Sequence, residues 1–158
     1  TGLWFIKTEM EKAEKKLIGR LEKVDFLEIG LEDIDAKIDT GAYTSSLHCY
    51  DIEEKNVDGK QVLYIKFLDD QHPAYNNMSL HFEHYSKVRV RSSSGHLEER
   101  FKIKTKIRLG KNIYKTEFTL ADRSSMKYPI LLGRKILKNR FLVDVAKTYL
   151  LTTQKTNV

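Results

Sequence analysis

Cysteine and proline are almost missing from this chain: Cys49 stands alone, and there are only two prolines in 158 residues. A lone cysteine cannot close an internal disulfide, so the fold must rest on a packed core, and the expected compartment is a reducing cytoplasm. No apolar run approaches the roughly 18 residues that a membrane-spanning helix needs. Residues 1–6 are apolar but too short for a secretory signal, and no small-residue cleavage pattern follows. There is no glycine-rich phosphate loop ending in Lys-Ser or Lys-Thr. Zinc-finger, RNP and helix-turn-helix patterns are absent too, and there is no internal repeat or low-complexity tract.

What is present is an ordinary globular composition, 41% hydrophobic and 32% charged, long enough for one domain with a real core. Lys and Arg number 28 against 22 Asp and Glu, a formal charge of +6 that favours acidic partners. The cations are interspersed with acids rather than gathered in a block, so neither nucleic acid nor membrane is the expected partner.

The sequence centres on residues 34–46. Ile34, Ala36 and Ile38 alternate with Asp35, Lys37 and Asp39, the period-2 pattern of a half-buried strand. It runs into Asp39-Thr40-Gly41, a carboxylate beside a hydroxyl and a glycine that suits a sharp bend or a close backbone approach. Asp39 is therefore expected at a strand tip, on a loop held by a sheet. Much later, Pro129-Ile130-Leu131-Leu132-Gly133-Arg134 brings a short apolar strand to a glycine and a basic, helix-like segment.

The remainder reads mostly as strands. Residues 9–17 look like a charged lead-in helix, with Met10 the expected natural start. Strands are expected at 18–29 and 46–52, and Asp58-Gly59 signals a tight hairpin into 61–68. Residues 69–79 form a polar loop, and 81–86 are ambiguous. Val88-Arg89-Val90-Arg91 and residues 97–109 alternate on either side of 92–95, a hairpin with a small tip. Strands at 113–120 and 130–132, a helix at 133–138 and a last strand within 141–151, through Leu142-Val143 and Tyr149-Leu150, complete the chain. The expectation is a single all-β domain over 18–152 with one short C-terminal helix, between a lead-in at 1–17 and a tail at 153–158.

This order resembles a subunit of the retropepsin-like aspartic peptidases, a closed, barrel-like acid-protease fold. In that family a strand enters Asp-Thr-Gly-Ala, and a strand, a flap hairpin, a wall loop, an apolar-apolar-Gly strand and a helix follow. Gly133 falls 92 positions after Gly41, longer than in the retroviral enzymes, and the Asp58-Gly59 hairpin with the 69–79 loop accounts for the excess. Ile18-Gly19-Arg20, Ala36 to Ala42, Thr44-Ser45-Ser46-Leu47-His48, Val90 to Gly95, Glu98-Glu99-Arg100, Leu131 to Arg134 and Phe141 to Asp144 together are similar to one bacterial branch. That branch is labelled ATP-dependent zinc protease and is linked to ATP-grasp ligases that add glutamates to ribosomal protein.

The resemblance implies catalytic roles for Asp39, Thr40 and Gly41, and a structural one for Gly133 and Arg134. It implies substrate contacts at Ala42, Tyr43 and Leu132, at Ser92, Ser93, Ser94 and Gly95 on the flap tip, and at Arg123 on the wall loop. One chain supplies one Asp-Thr-Gly, whereas hydrolysis without a covalent intermediate needs a base and an acid. A homodimer is thus implied, with two Asp39 carboxylates sharing a proton as in aspartic proteases generally. Tyr43 and Thr44 stand where the retroviral enzymes carry acidic residues, so Arg134 needs another partner. No cofactor is expected, and no metal: His81 and His84 are the nearest pair and lack the spacing of a zinc helix. The histidines and Cys49 are expected at the surface or partly buried.

Two other readings use the same residues: a non-catalytic peptide-binding or regulatory module partnering an ATP-grasp ligase, and a zinc-dependent protease. For a peptidase, the substrate is a peptide or protein, including acidic or glutamylated ones, attracted by Arg89, Arg91, Arg100 and Lys102 beside the flap. Alternate residues of a hairpin face opposite ways, so at most half of these can meet one ligand.

Overall fold

The computed structural model describes residues 15–92, 94–122 and 127–152. Ten strands follow in order: β1 (Lys16–Phe26), β2 (Leu31–Ile38), β3 (Ser45–Val57), β4 (Lys60–Phe67), β5 (Ser79–Phe82), β6 (Ser86–Arg91), β7 (Leu97–Leu109), β8 (Asn112–Ala121), β9 (Ile130–Leu132) and β10 (Phe141–Thr148). One helix, α1 (Arg134–Leu137), separates the last two.

Six of these strands close on themselves in the order β1-β2-β9-β3-β8-β7, with the seam formed by Asp25 opposite Arg108 and Phe26 opposite Ile107. Closure removes the exposed edges of those strands. Alternation decides what goes inside: on β7, Ile103, Thr105, Ile107 and Leu109 are buried while Lys104 and Lys106 are exposed. The core centres on Phe26 and Phe118, whose rings are 5.3 Å apart and tilted, with Ile18, Val24, Ile34, Leu47, Leu120 and Ile130 around them. The all-β barrel with its short helix is as the sequence implies.

β3 is long enough to leave the barrel. Its outer half pairs with β4, and β4 with β5, as a second sheet. Asp58 and Gly59 both take positive φ, 52° and 83°, the geometry whose twist matches a two-residue hairpin. β6 and the outer part of β7 form the flap hairpin, from Ser86 opposite Lys102 to Arg91 opposite Leu97. The Lys87 ammonium reaches the Glu54 carboxylate at 3.2 Å, fastening the flap base to β3.

Three expectations are adjusted. In the ambiguous stretch 81–86, His81 and Phe82 belong to β5 and Ser86 to β6, with 83–85 between them. Most of the expected lead-in helix lies outside the described residues, but Lys16 and Leu17 belong to β1, drawn into parallel pairing with Phe141 and Leu142. The last strand stops at Thr148: Tyr149 turns at φ 56°, and residues 150–152 are helical. The reason is Glu22, a fully buried carboxylate on β1 that accepts the N–H groups of Leu150 and Leu151 and so takes them out of the ladder.

Candidate active site

Asp39 sits where β2 leaves the barrel. β9 runs parallel beside β2, pairing Ile38 with Leu132, and the Asp39 N–H donates to the Leu132 carbonyl at 2.9 Å. The chain then reverses, with Ala42 N–H donating to the Asp39 carbonyl at 3.3 Å and Gly41 N–H donating to Asp39 Oδ1 at 2.9 Å. The second contact aims the carboxylate. A Cβ on Gly41 would lie 3.2 Å from Oδ1, so glycine keeps this close approach unstrained.

The far side of the loop is held by β9 and α1. Arg134 and Lys135 donate their N–H groups to the carbonyls of Ala42 and Tyr43 at 2.8 and 2.9 Å. Gly133 lies between these contacts, and any Cβ there would come within 2.7 Å of Tyr43 O and 2.8 Å of Ala42 O. Its own N–H donates to the buried Ser45 hydroxyl at 3.1 Å. Arg134, without a carboxylate at position 43 or 44, donates to the Thr40 carbonyl at 2.9 Å and lies 5.8 Å from the centre of the Tyr43 ring.

Asp39 is half-buried, Thr40 and Gly41 are exposed, Ala42 is half-buried and Tyr43 is 57% exposed. A hollow of about 550 Å³ opens beside them, lined by Thr40, Tyr43, Arg134, Leu137, Lys138, Phe141 and Val143. Leu132 is fully buried, and its carbonyl accepts the Asp39 N–H. Hydrogen bonds within the flap tip hold it: Gly95 N–H donates to the Ser92 carbonyl at 2.9 Å, Ser92 N–H to the His96 carbonyl at 2.8 Å, and the Ser92 and Ser94 hydroxyls are 2.8 Å apart. Gly95 takes φ 86° there. Arg91 donates to the Gly95 carbonyl at 2.7 Å, so its guanidinium braces the tip. Arg100 pairs with Glu98 at 2.8 Å. Ser93 and Arg123 lie outside the described residues.

Two residues escaped sequence reasoning. Ser45 holds Gly133, and its signal was a hydroxyl at the first, buried position of β3. Glu117 on β8 accepts from Lys102 at 2.6 Å and from Lys135, linking the flap base to α1. These hydrogen bonds, first from Lys102 and then from Lys135, hold its carboxyl down to about 2. His48 and Cys49, expected at the surface or partly buried, are 3% and 1% exposed, because β3 crosses the barrel wall there with β8 and β9 on either side. Among the described residues no group of three or more His, Cys, Asp or Glu is placed to hold a metal ion. No helix among them is long and apolar enough to cross a membrane.

This geometry has counterparts. A protein of Shewanella halifaxensis named "Probable alpha-L-glutamate ligase" is 35% identical over 144 residues, covering 89% of this chain and 31% of that protein. One of Desulfotalea psychrophila with the same name is 34% identical over 142 residues, covering 84% and 28%. The chain thus spans about a third of the length of these curated relatives. The crystal structure of Lpg0085 from Legionella pneumophila, a protein described as of unknown function, superposes with a TM-score of 0.68 at 28% identity, covering 86% of this chain and 98% of that one. A family model described as "Retropepsin-like aspartic endopeptidase RimB" matches residues 17–154, and with the Asp39 turn, the flap and the Gly133-Arg134 brace in place, the chain belongs to that RimB-like family.

Proposed function

We propose that this protein is an aspartic endopeptidase that acts as a homodimer, with Asp39 from each subunit meeting on a twofold axis. The observation that carries the reading is the Asp39 turn itself. Its carboxylate is aimed by the Gly41 N–H and its backbone is anchored to β9, yet it remains open to solvent on a loop bearing an exposed Thr40. An isologous contact supplies the second carboxylate without another gene. Of the two, the ionised one takes a proton from water as the water oxygen attacks the scissile carbonyl carbon. The protonated one gives its proton to the carbonyl oxygen. The resulting tetrahedral diol collapses with cleavage of the C–N bond: the carboxyl that took the water proton gives it to the leaving nitrogen while the other carboxylate takes a proton from a diol hydroxyl, so the dyad again holds one shared proton. Thr40 braces the paired loops, and the flap folds over the bound peptide, excluding water.

The substrate in this reading is an acidic or glutamylated peptide. The ligase names of the relatives support it, as does the exposed Arg89 on the flap; Arg100 and Lys102 lie on the other face of the hairpin and are paired with Glu98 and Glu117. Arg91 is committed to the Gly95 carbonyl, so it shapes the tip for every substrate alike. A second reading, a regulatory module for a glutamate ligase, is favoured by one observation: a segment similar to this chain makes up about a third of proteins carrying that name.

The test is a mass-spectrometric cleavage screen of a mixed peptide library that includes glutamate-rich peptides, with wild type beside Asp39→Asn. The peptidase reading expects cuts with wild type that persist with chelator and vanish in the variant. Cuts that survive Asp39→Asn and stop with chelator would assign the activity to a metal, and silence from both would favour the regulatory module.

A further inference from the structure

We propose that Lys104, Lys106 and Lys115, on the outward face of β7 and β8, form a docking site for an extended acidic peptide segment. Along the sequence the cations are interspersed with acids, but the fold sorts them. On β7, Ile103, Thr105 and Ile107 turn inward and are buried, which leaves Lys104 and Lys106 exposed on the opposite face. β8 runs antiparallel beside it, with Lys106 directly opposite Lys115 and Lys104 opposite Glu117. Directly opposite residues have Cβ atoms about 5 Å apart and diagonal ones about 7–8 Å. The three lysines therefore root in one compact triangle.

The acid opposite Lys104 is already committed. Glu117 Oε2 accepts from Lys102 at 2.6 Å and Oε1 accepts from Lys135. Lys104 and Lys115 open onto a hollow of about 520 Å³ that Glu28, Glu83, His81 and His84 also line. Even so, among the described residues no carboxylate forms an ion pair with Lys104, Lys106 or Lys115. Like charges directly across a strand pair are destabilising, so Lys106 opposite Lys115 is a repulsion that the chain leaves uncompensated. A bound anion would relieve it.

Spacing selects the partner. Alternate residues of a strand repeat at about 6.8 Å. Carboxylates at alternate positions of an extended peptide laid along β7 thus come at the pitch of Lys104 and Lys106, and Lys115 meets the same segment from the side. Ile113, 52% exposed and two positions from Lys115 on the same face of β8, adds an apolar contact. A single-stranded nucleic acid needs aromatic platforms on which to stack its bases. The outward positions here are Lys104, Lys106, Arg108, Ile113, Lys115 and Glu117, with no aromatic among them. Phe82, which lines the hollow, is half-buried and packs edge-on against Phe67. This hollow shares no lining residue with the one beside Asp39, so the docking site does not rest on the peptidase reading.

The test is fluorescence anisotropy with a labelled peptide of alternating glutamate and alanine, in an Asp39→Asn background so that the peptide stays whole. Joint replacement Lys104→Gln, Lys106→Gln and Lys115→Gln is expected to raise Kd about tenfold or more. The melting temperature should stay level or rise, since a repulsive pair is gone. Lys37→Gln, Lys60→Gln and Lys147→Gln together remove the same charge from exposed positions elsewhere and are expected to change Kd by less than about threefold, because distant charges are screened. Should the first triple variant fail to fold, Lys115→Glu carries the test: it faces Lys106 with an opposite charge and is expected to melt above wild type while losing the peptide. Equal weakening by both triple variants would reduce the effect to net charge and overturn the proposal. Binding no tighter than that of an uncharged peptide would overturn it too. An oligonucleotide of equal charge that displaces the peptide at equal concentration would overturn the assignment to an acidic peptide. Binding through these lysines by a protein whose Asp39 form cuts nothing would count against the peptidase reading alone and uphold the docking site.

Discussion

The guanidinium of Arg134 donates to the backbone carbonyl of Thr40 at 2.9 Å, across 94 positions of sequence, and so holds the middle of the Asp39-Thr40-Gly41 turn from outside. A carboxylate partner would bind a side chain, whereas this contact fixes main chain directly. Arg134→Ala is expected to cost only about 1 kcal/mol of stability, since the bond is exposed, but to lower kcat by about tenfold or more through small displacement of the aspartate. Arg134→Lys should recover little, because a point ammonium cannot reproduce the guanidinium's fork at the Thr40 carbonyl beside the Tyr43 ring. Urea melts beside single-turnover cleavage separate the two effects, and a Lys variant with full activity would refute this account.

That brace shows what the sequence discloses and what it hides. The Asp39 turn was legible because an alternating strand stops at Ile38 and a glycine follows. The Asp58-Gly59 hairpin and the flap were legible because turn chemistry and alternation are local. Glu22 was not. It reads as one more charge among Arg20 and Lys23, yet it is fully buried, and two of its three hydrogen-bond partners lie 128 and 129 positions away, beyond any local pattern. His48 was hidden likewise, its ring partners Asp69 and Ala121 being 21 and 73 positions distant. Arg134 was expected to need a partner, but nothing local could say that a carbonyl would serve.

Gly133 makes an independent test of the same loop. A methyl group there would sit 2.7 Å from one carbonyl oxygen and 2.8 Å from another, both of them backbone and unable to swing aside. Gly133→Ala is expected to destabilise by about 2 kcal/mol, the scale of overpacking in a closed site. The amide resonances of Ala42, Tyr43 and Lys135 should move while those of the β3–β4 sheet stay put. A variant that melts with wild type would mean that the loop gives way more readily than its hydrogen bonds suggest.

Glu117 predicts an acid limb. Its carboxyl is held at about 2 by hydrogen bonds from Lys102 and then Lys135, below the ordinary range near 4.5. The folded state therefore binds this proton less readily than the unfolded chain does, so the stabilisation is present above about pH 4.5 and is lost as pH falls toward 2. Glu54 and Asp69, also held low by hydrogen bonds, act in the same direction. Glu117→Gln is expected to cost about 0.5–1 kcal/mol at neutral pH, as a partly exposed ion pair does. It should also flatten the loss of stability between pH 4.5 and 2. Equal slopes for variant and wild type over that window would remove Glu117 from the account.

Glu22 offers the sharpest stability test, because its carboxylate accepts from three backbone N–H groups. Oε2 accepts from Gly19 N–H at 2.8 Å and from Leu150 N–H at 3.1 Å, and Oε1 accepts from Leu151 N–H at 2.9 Å. Glu22→Gln keeps the shape but turns an amide group toward at least one N–H, leaving buried donors face to face. The expected loss is about 2 kcal/mol or more, the penalty of a buried polar group without its partner. The seam it seals is tight as well: a Cβ on Gly19 would lie 2.6 Å from the Lys147 carbonyl, so Gly19→Ala should loosen the same junction of β1 and β10. The two substitutions act on one contact and should be less than additive in a double-mutant cycle. Full additivity in urea melts would show that the carboxylate and the close approach act independently, and that Glu22 does not hold the C-terminal turn against β1.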